Sequence, residues 1–331
     1  MNRPTATIFG GSGFVGRYIT YRLARLGWSV RVAVRRPNEA IFTRSYGDVG
    51  QVDPILANIR DENSTEDAIR NSQLVINCVG ILSETPKQRF DSVQAEAAGR
   101  IARLAAKHGV ERMVHISAIG ANTNSDSGYA RSKGEGERLV LKHMKNAVIL
   151  RPSIVFGPED EFFNRFATMA KLSPALPIVG AETQFQPVYV DDVALAVEKA
   201  ALGEVNSGIY ELGGPEVKSF KELMQIMLET IEKRRVIVSL PKFVARLMAF
   251  GFTTLERLSF GLFQNELITA DQIKQLQRDN IVGAKAKSFE DLGITPTAMG
   301  AILPEYLYMH RPYGQYSEMT NAARTRRHDL N

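Results

Sequence analysis

The apolar residues of this chain follow two periods in turn. TATIFG (5–10) is a short β-rich run ending in glycine. FVGRYITYRLARLG (14–27) then places Val15, Ile19, Leu23 and Leu26 at helical spacing, and Gly27 stops the helix. SVRVAV (29–34) and QVDPILANI (51–59) predict a second and a third strand. STEDAIRNS (64–72) predicts a helix opening on a serine or threonine cap. LVINCVG (74–80) is continuously apolar, as expected of a strand buried on both faces. VQAEAAGRIARLAAKHG (93–109) predicts a helix and RMVHIS (112–117) the next strand. This βαβαβ rhythm predicts an α/β fold, a parallel doubly wound sheet with right-handed crossovers and helices on both faces.

The first strand–helix turn carries the ligand signal. GGSGFVG sets Gly10, Gly13 and Gly16 in a GxxGxxG spacing between a strand and a helix. The first glycine permits the tight turn, the second lets a pyrophosphate approach the backbone, and the third lets helix pack on strand. The helix N–H groups and dipole then favour the phosphate. The second strand ends in AVRRP, with Arg35 and Arg36 where an NAD site usually carries an acid for the ribose 2′-hydroxyl. Guanidinium groups match a 2′-phosphate, so the expected cofactor is NADPH rather than NADH.

These motifs, together with the YxxxK pair Tyr129 and Lys133 in SGYARSKGEGE, resemble the extended and atypical branches of the short-chain dehydrogenase/reductase superfamily. AVILRPSIVFGP (147–158), QPVYVDDVALAV (186–197) and SGIYELGGPEVKSFKEL (207–223) resemble the later segments of the same branches. The resemblance implies a Rossmann domain over 1–158, rejoined by 184–214. It also implies a smaller C-terminal α/β domain over 159–183 and 215–305, and an extended tail over 306–331. It implies that Gly10, Ser12, Gly13, Phe14, Val15 and Gly16 hold the pyrophosphate and that Arg35 and Arg36 hold the 2′-phosphate. Asn58 and Ile59 would flank the adenine, and Cys78, Val79 and Gly80 would line the ribose path. Tyr129 and Lys133 would reach the nicotinamide ribose, and Pro152, Ser153, Ile154 and Val155 would lie along the nicotinamide.

Whether such a site turns over depends on a third partner. Hydride transfer needs a general acid/base near the operating pH. Tyrosine ionises near ~10 unless a nearby ammonium favours its phenolate. The four-residue spacing of Tyr129 and Lys133 puts both on one helix face. In the family, a serine or threonine at the end of the fifth strand positions the substrate oxygen. The resemblance places Ala118 of VHISAIGA there, with Ser117 one residue early, and Gln94 at the asparagine position. Neighbouring strand residues face opposite ways, so the offset matters. Ser117 could still reach inward if the strand end bulges, and Ser83 or Ser153 could substitute. Catalytic assignments therefore stop at vestigial candidates: Tyr129, Lys133 and Ser117.

The last third narrows the resemblance. ITADQIKQLQRDNIV (268–282), LGITPTAMGAILPEYL (292–307) and MHRPYGQY (309–316) resemble the NADPH-binding accessory subunits of respiratory complex I, NADH:ubiquinone oxidoreductase, in their α-proteobacterial form. This implies a non-catalytic subunit that holds NADPH tightly and supports assembly or stability of the hydrophilic arm–membrane arm junction. Its partners would be other complex I subunits, on the cytoplasmic side of the bacterial inner membrane as a peripheral protein. Two other functions stay open. One is an active NADPH-dependent reductase or epimerase on a nucleotide-sugar or quinone-like substrate. The other is an NADPH-responsive sensor.

Composition changes this picture little. The chain has 331 residues, 44% hydrophobic and 23% charged, enough for one large or two moderate domains. A net charge of 41 − 36 = +5 is too weak to argue for nucleic acid. One cysteine, Cys78, excludes an intrachain disulfide, and five histidines without ligand spacing argue against a metal site. The early first strand leaves no room for a leader peptide. No window reaches the roughly 18 charge-free apolar residues of a spanning helix. Residues 241–263 are rich in Phe, Leu and Met but carry Lys242, Arg246, Glu256 and Arg257. They read either as a lid on their own domain or as a contact with a partner subunit or the membrane interface. Tyr306, Tyr308, Tyr313 and Tyr316 with Arg311 make the tail a docking segment.

Overall fold

The structure is a computed structural model and describes residues 3–85, 87–241 and 270–314. The predicted strands form where the apolar periods place them: β1 (Thr5–Phe9), β2 (Ser29–Val34), β3 (Val52–Leu56), β4 (Leu74–Asn77) and β5 (Arg112–Ile116); β6 (Val148–Pro152) lies in the segment AVILRPSIVFGP. With Gly208–Leu212 they make a seven-stranded sheet in the order Gly208–Leu212, β6, β5, β4, β1, β2, β3. Every pairing is parallel. All four residues of β4 are buried, which is why its sequence shows no polar alternation.

The helices include α1 (Phe14–Arg25), α2 (Glu62–Ile69), α3 (Ala97–Lys107), α4 (Gly128–His143), α5 (Phe163–Leu172), α6 (Val190–Leu202) and α7 (Phe220–Thr230), with Ala270–Gln275 and Met299–Leu307 further along the chain. α1 packs on α6, and α3 packs on α2 and α4. Phe9, Ala33, Val75 and Met113 from the strands join Ile69, Ile101, Leu104 and Val140 in one buried cluster. A wider π-type turn over Asp91–Glu96 leads into α3.

The cap of α2 differs from the expectation. Asp61, not Ser64 or Thr65, is the N-cap, and its Oδ1 accepts from the Ser64 N–H at 2.7 Å. Ser64 lies one turn inside, where its hydroxyl accepts from the Asn58 N–H. A carboxylate suits the positive end of the helix better than a hydroxyl, so the helix starts earlier.

The chain divides into two units. The first holds residues up to Ser153, Val190–Gly213 and Asn280–Pro296; the second holds Ile154–Tyr189, Gly214–Asp279 and the chain from Thr297 on. The expected smaller domain was to contain all of 215–305, but 280–296 returns to the first unit. The Glu211 N–H donates to Lys287 O at 2.8 Å, and the Gly283 N–H donates to Glu211 Oε2 at 2.9 Å. Those bonds extend the sheet edge at Gly208–Leu212.

In the second unit, strands Ala175–Val179 and Val236–Leu240 pair in parallel. α5, α7 and the helix Met299–Leu307 pack around Phe156, Phe163, Phe185 and Phe220. A reciprocal Ser219/Glu222 cap starts α7. Tyr306, expected at the head of an extended tail, is buried in this core, and its hydroxyl donates to Asp160 Oδ2 at 2.5 Å. A phenol needs a partner when buried, and Asp160 supplies it. From Lys242 on, the 241–263 segment lies outside the described residues, as do 315–331. Among the described residues no helix is long and apolar enough to cross a membrane.

Candidate functional site

The chain reverses direction through the sheet between β1 and β4, the switch point where open α/β sheets bind ligands beyond their strand ends. The glycine loop lies at that edge. Gly10 has φ +77°, a conformation that side-chain-bearing residues seldom adopt. A methyl on Gly10 would stand 3.3 Å from Val79 Cγ2 and 3.4 Å from the Cys78 carbonyl carbon, so the β1 loop and the β4 loop touch. A methyl on Gly16 would stand 2.1 Å from Gly10 O and 2.8 Å from Gly11 Cα, so α1 can seat only with glycine there. Gly13 is the N-cap of α1, with no side-chain cap and no acid in the first turn. The first-turn amides of Phe14, Val15 and Gly16 thus form an end that suits an anion from outside.

Lys133 closes the other side. A methyl on Gly80 would lie 3.3 Å from its Nζ, which also donates to Ile116 O at 3.2 Å. Gly10, Cys78, Val79, Gly80 and Lys133 are therefore brought together from three segments. Tyr129 stands one turn earlier on α4, its ring centroid 6.0 Å from Lys133 Nζ and edge-on to Phe90. Desolvation pushes the Tyr129 phenol up to about 12, and it pulls the Lys133 ammonium down to about 8, opposed by Glu137. Desolvation likewise raises the Cys78 thiol to about 12. No phenolate or thiolate is preformed at this edge.

These values set a pH dependence. Lys133 binds its proton less tightly folded than unfolded, so at this residue the unfolded chain is the more protonated between pH 8 and 10.5. Stability of the nucleotide-free protein should rise with pH from about 8 to 9, by about 1.4 kcal/mol, and level off above that, where the raised Cys78 thiol makes the folded chain the one that holds the extra proton. Lys133→Met should abolish the rise, measured by urea midpoints at pH 7.5 and 9.5. An unchanged rise in the variant would contradict the assignment.

Ser117 points elsewhere. Its buried hydroxyl donates to Glu137 Oε1 at 2.5 Å. Glu137 in turn takes a bidentate pair from Arg151, Nε to Oε1 at 2.8 Å and Nη2 to Oε2 at 2.6 Å. Arg151 Nη1 donates on to Glu211 Oε1 at 3.3 Å. The serine is committed to a buried ion-pair network one turn below Lys133. Ser153 is committed as well, its hydroxyl donating towards Asn280 Oδ1 at 2.6 Å and Asn280 O at 2.9 Å. Gln94 is buried; its Nε2 donates to Ile81 O, and its Oε1 has no partner among the described residues.

Arg35 and Arg36 are exposed just past β2, and Arg36 pairs with Glu39 at 2.9 Å. Asn58 and Ile59 follow β3 at the same strand-end edge. Asn58 Oδ1 accepts from the Arg60 N–H, and Ile59 O accepts from Arg100 Nη1. Pro152 ends β6 beside Leu212, whereas Ile154 and Val155 open the second unit, Ile154 packing against that unit's aromatic core. Ser12 lends its carbonyl to Arg17 Nη2 at 3.4 Å. Sequence reasoning missed Glu137, Arg151 and Glu211, which lie up to 74 residues apart and carry no local motif. No group of three or more His, Cys, Asp or Glu side chains fit for a metal occurs among the described residues.

Comparison with known proteins shows the family of the chain. The model of the "NAD dependent epimerase/dehydratase family" matches residues 6–213. A relative from Arabidopsis thaliana, "NADH dehydrogenase [ubiquinone] 1 alpha subcomplex subunit 9, mitochondrial", is 35% identical over 93% of this chain and 78% of its own length. The "NADH-ubiquinone oxidoreductase 40 kDa subunit, mitochondrial" of Neurospora crassa is 31% identical over 98% of this chain and 84% of its own. Among solved structures, gox2253 shares the fold with a TM-score of 0.69 at 21% identity, over 95% of this chain and 99% of its own.

Proposed function

From the premise that the chain belongs to the NAD dependent epimerase/dehydratase family, and within it to the accessory subunits of complex I, we propose that it holds NADPH as a fixed structural nucleotide and turns over nothing. The observation that carries this reading is the state of the site. The glycine loop meets the β4 loop and Lys133 lies against Gly80 of that loop, while the Ser117 hydroxyl is bound to Glu137 and Ala118 offers none. A group that cannot donate cannot aim a substrate oxygen.

In this reading the first-turn amides of α1 take the pyrophosphate and Arg35 and Arg36 take the 2′-phosphate. The nicotinamide, when bound, supplies hydride chemistry that this chain does not direct at a substrate. Lys133 and Tyr129 grip its ribose. The exposure of both arginines supports NADPH over NADH, because an open guanidinium is available to a dianion. The charge of bound nucleotide also offsets the cost of keeping Lys133 protonated. The protein sits with other complex I subunits on the cytoplasmic side of a bacterial inner membrane and stabilises the junction of the two arms.

Replacing Arg35 and Arg36 together with alanine tests the cofactor. NADPH should dissociate about 10–100-fold more readily, the loss of one or two charge-assisted contacts, with NADH nearly unaffected. Equal losses for both would overturn the 2′-phosphate assignment. The rival reading, an active reductase, is favoured by the retained Tyr129 and Lys133. It requires NADPH oxidation with a nucleotide-sugar or quinone-like substrate that Tyr129→Phe abolishes, and no oxidation across such a panel counts against it.

A further inference from the structure

A ladder of rings and guanidinium groups crosses the outer side of α1 and the turn Pro37–Tyr46. The Arg25 guanidinium lies 5.7 Å from the Tyr21 ring centroid. Tyr21 meets Tyr46 edge-on at 5.8 Å, and Tyr46 meets Phe42 at 6.0 Å. Arg17 stacks over Phe42 at 5.2 Å and reaches the glycine loop at Ser12 O. Tyr21, Phe42 and the adjacent Ile41 are 43%, 41% and 51% exposed, although Ile19 and Leu23 on the inner side of α1 are fully buried.

Scattered exposed apolar residues need no explanation. This set is different in two ways. Its rings are already held by one another and by the arginines, so a partner would not have to order them. Its composition, aromatic and arginine, is that of the residues that dominate binding energy in protein interfaces. The local charge is also one-sided. Arg17 and Arg25 lie over the rings, and Arg36 and Arg44, next to or within the turn Pro37–Tyr46, are paired with Glu39 and Asp53. Arg25 has no carboxylate partner among the described residues. A second copy of the same surface would oppose cation to cation, whereas carboxylates would complement it.

We propose that this ladder is a docking surface for another protein subunit, through a segment that carries aspartate or glutamate beside aliphatic side chains. The inference rests on the reading of the chain as a complex I subunit. The aliphatic groups cover Tyr21, Ile41 and Phe42, and a carboxylate meets Arg25. Because Arg17 joins the ladder to Ser12, the docked face lies directly behind the phosphate loop.

The test places a photo-reactive phenylalanine analogue at position 42 of the full chain, illuminates the isolated native complex, and maps adducts by peptide mass spectrometry. The expected adduct joins residue 42 to another subunit, within a peptide that contains Asp or Glu next to Leu, Ile or Val. Arg25→Glu should lower its yield at least 10-fold without changing the nucleotide content of the complex. Adducts to lipid or to a second copy of this chain would overturn the proposal, as would a yield insensitive to Arg25→Glu. If the chain is present in the complex and residue 42 forms no adduct, the surface alone is wrong. If the unsubstituted chain is absent from the complex, the subunit reading fails and this surface with it.

Discussion

Glu137→Ala should cost about 3–5 kcal/mol of folding free energy, the usual loss when one partner of a buried ion pair is removed. Glu137 is 4% exposed and holds three donors: the Ser117 hydroxyl and two nitrogens of Arg151. The alanine variant would leave Arg151 facing Glu211 alone at 3.3 Å and Ser117 with a buried hydroxyl to satisfy. Glu137→Gln should cost less, because the amide oxygen can still accept from Ser117 or Arg151. Urea unfolding of both variants checks the order, and a Gln variant as weak as the Ala variant would assign the whole loss to the charge and contradict the part given to the retained acceptor. The same network anchors α4, so nucleotide retention should fall along with stability. Retention unchanged in a destabilised variant would uncouple the network from the cradle.

Gly16→Ala is expected to have the second large effect. The added methyl would overlap Gly10 O at 2.1 Å, and its neighbours are backbone atoms that cannot rotate away. Either α1 lifts from β1 or the loop opens, at a cost of about 3 kcal/mol or more. Nucleotide retention should drop at least ~100-fold, about 2.7 kcal/mol of binding. Gly13→Ala separates the two consequences. Its methyl would meet only Gly10 O, at 3.2 Å, and Gly13 is exposed, so folding should hold while nucleotide binding weakens. Thermal unfolding with and without added NADPH measures both quantities. A Gly16→Ala protein that folds and binds normally would refute the close-packed loop.

Much of this was legible along the chain. The strands β1 to β5 follow local apolar runs, and the glycine loop follows from three glycines between a strand and a helix. Tyr129 and Lys133 were legible because a four-residue spacing encodes one helix face. The cap of α2 was misjudged by three residues, since Asp61, Ser64 and Thr65 are all capping types and only the backbone at Asp61 selects among them. The Glu137–Arg151–Glu211 network was not legible. Its members become neighbours only when β6 pairs with Gly208–Leu212, a contact 60 residues long in sequence. The return of 280–296 to the first unit depends on the same sheet edge. Tyr306 looked like a docking residue because tyrosines cluster in interfaces, yet Asp160, 146 residues earlier, draws it into a core. In the last three cases a long-range polar partner decided where a residue went, and such partners have no periodicity to read.

The offset between Ser117 and Ala118 has the firmest functional consequence. Sequence placed Ser117 one residue early, and the side chain is in fact engaged below the cradle by Glu137. The retained Tyr129 and Lys133 then serve to hold a nucleotide ribose in our reading, with desolvation keeping the phenol protonated. Native mass spectrometry of the protein purified from its own membranes tests this account most directly. The account predicts one NADPH per chain, retained through purification, together with complex I subunits. A chain that carries NAD⁺ or no nucleotide, or that purifies apart from those subunits, would contradict it.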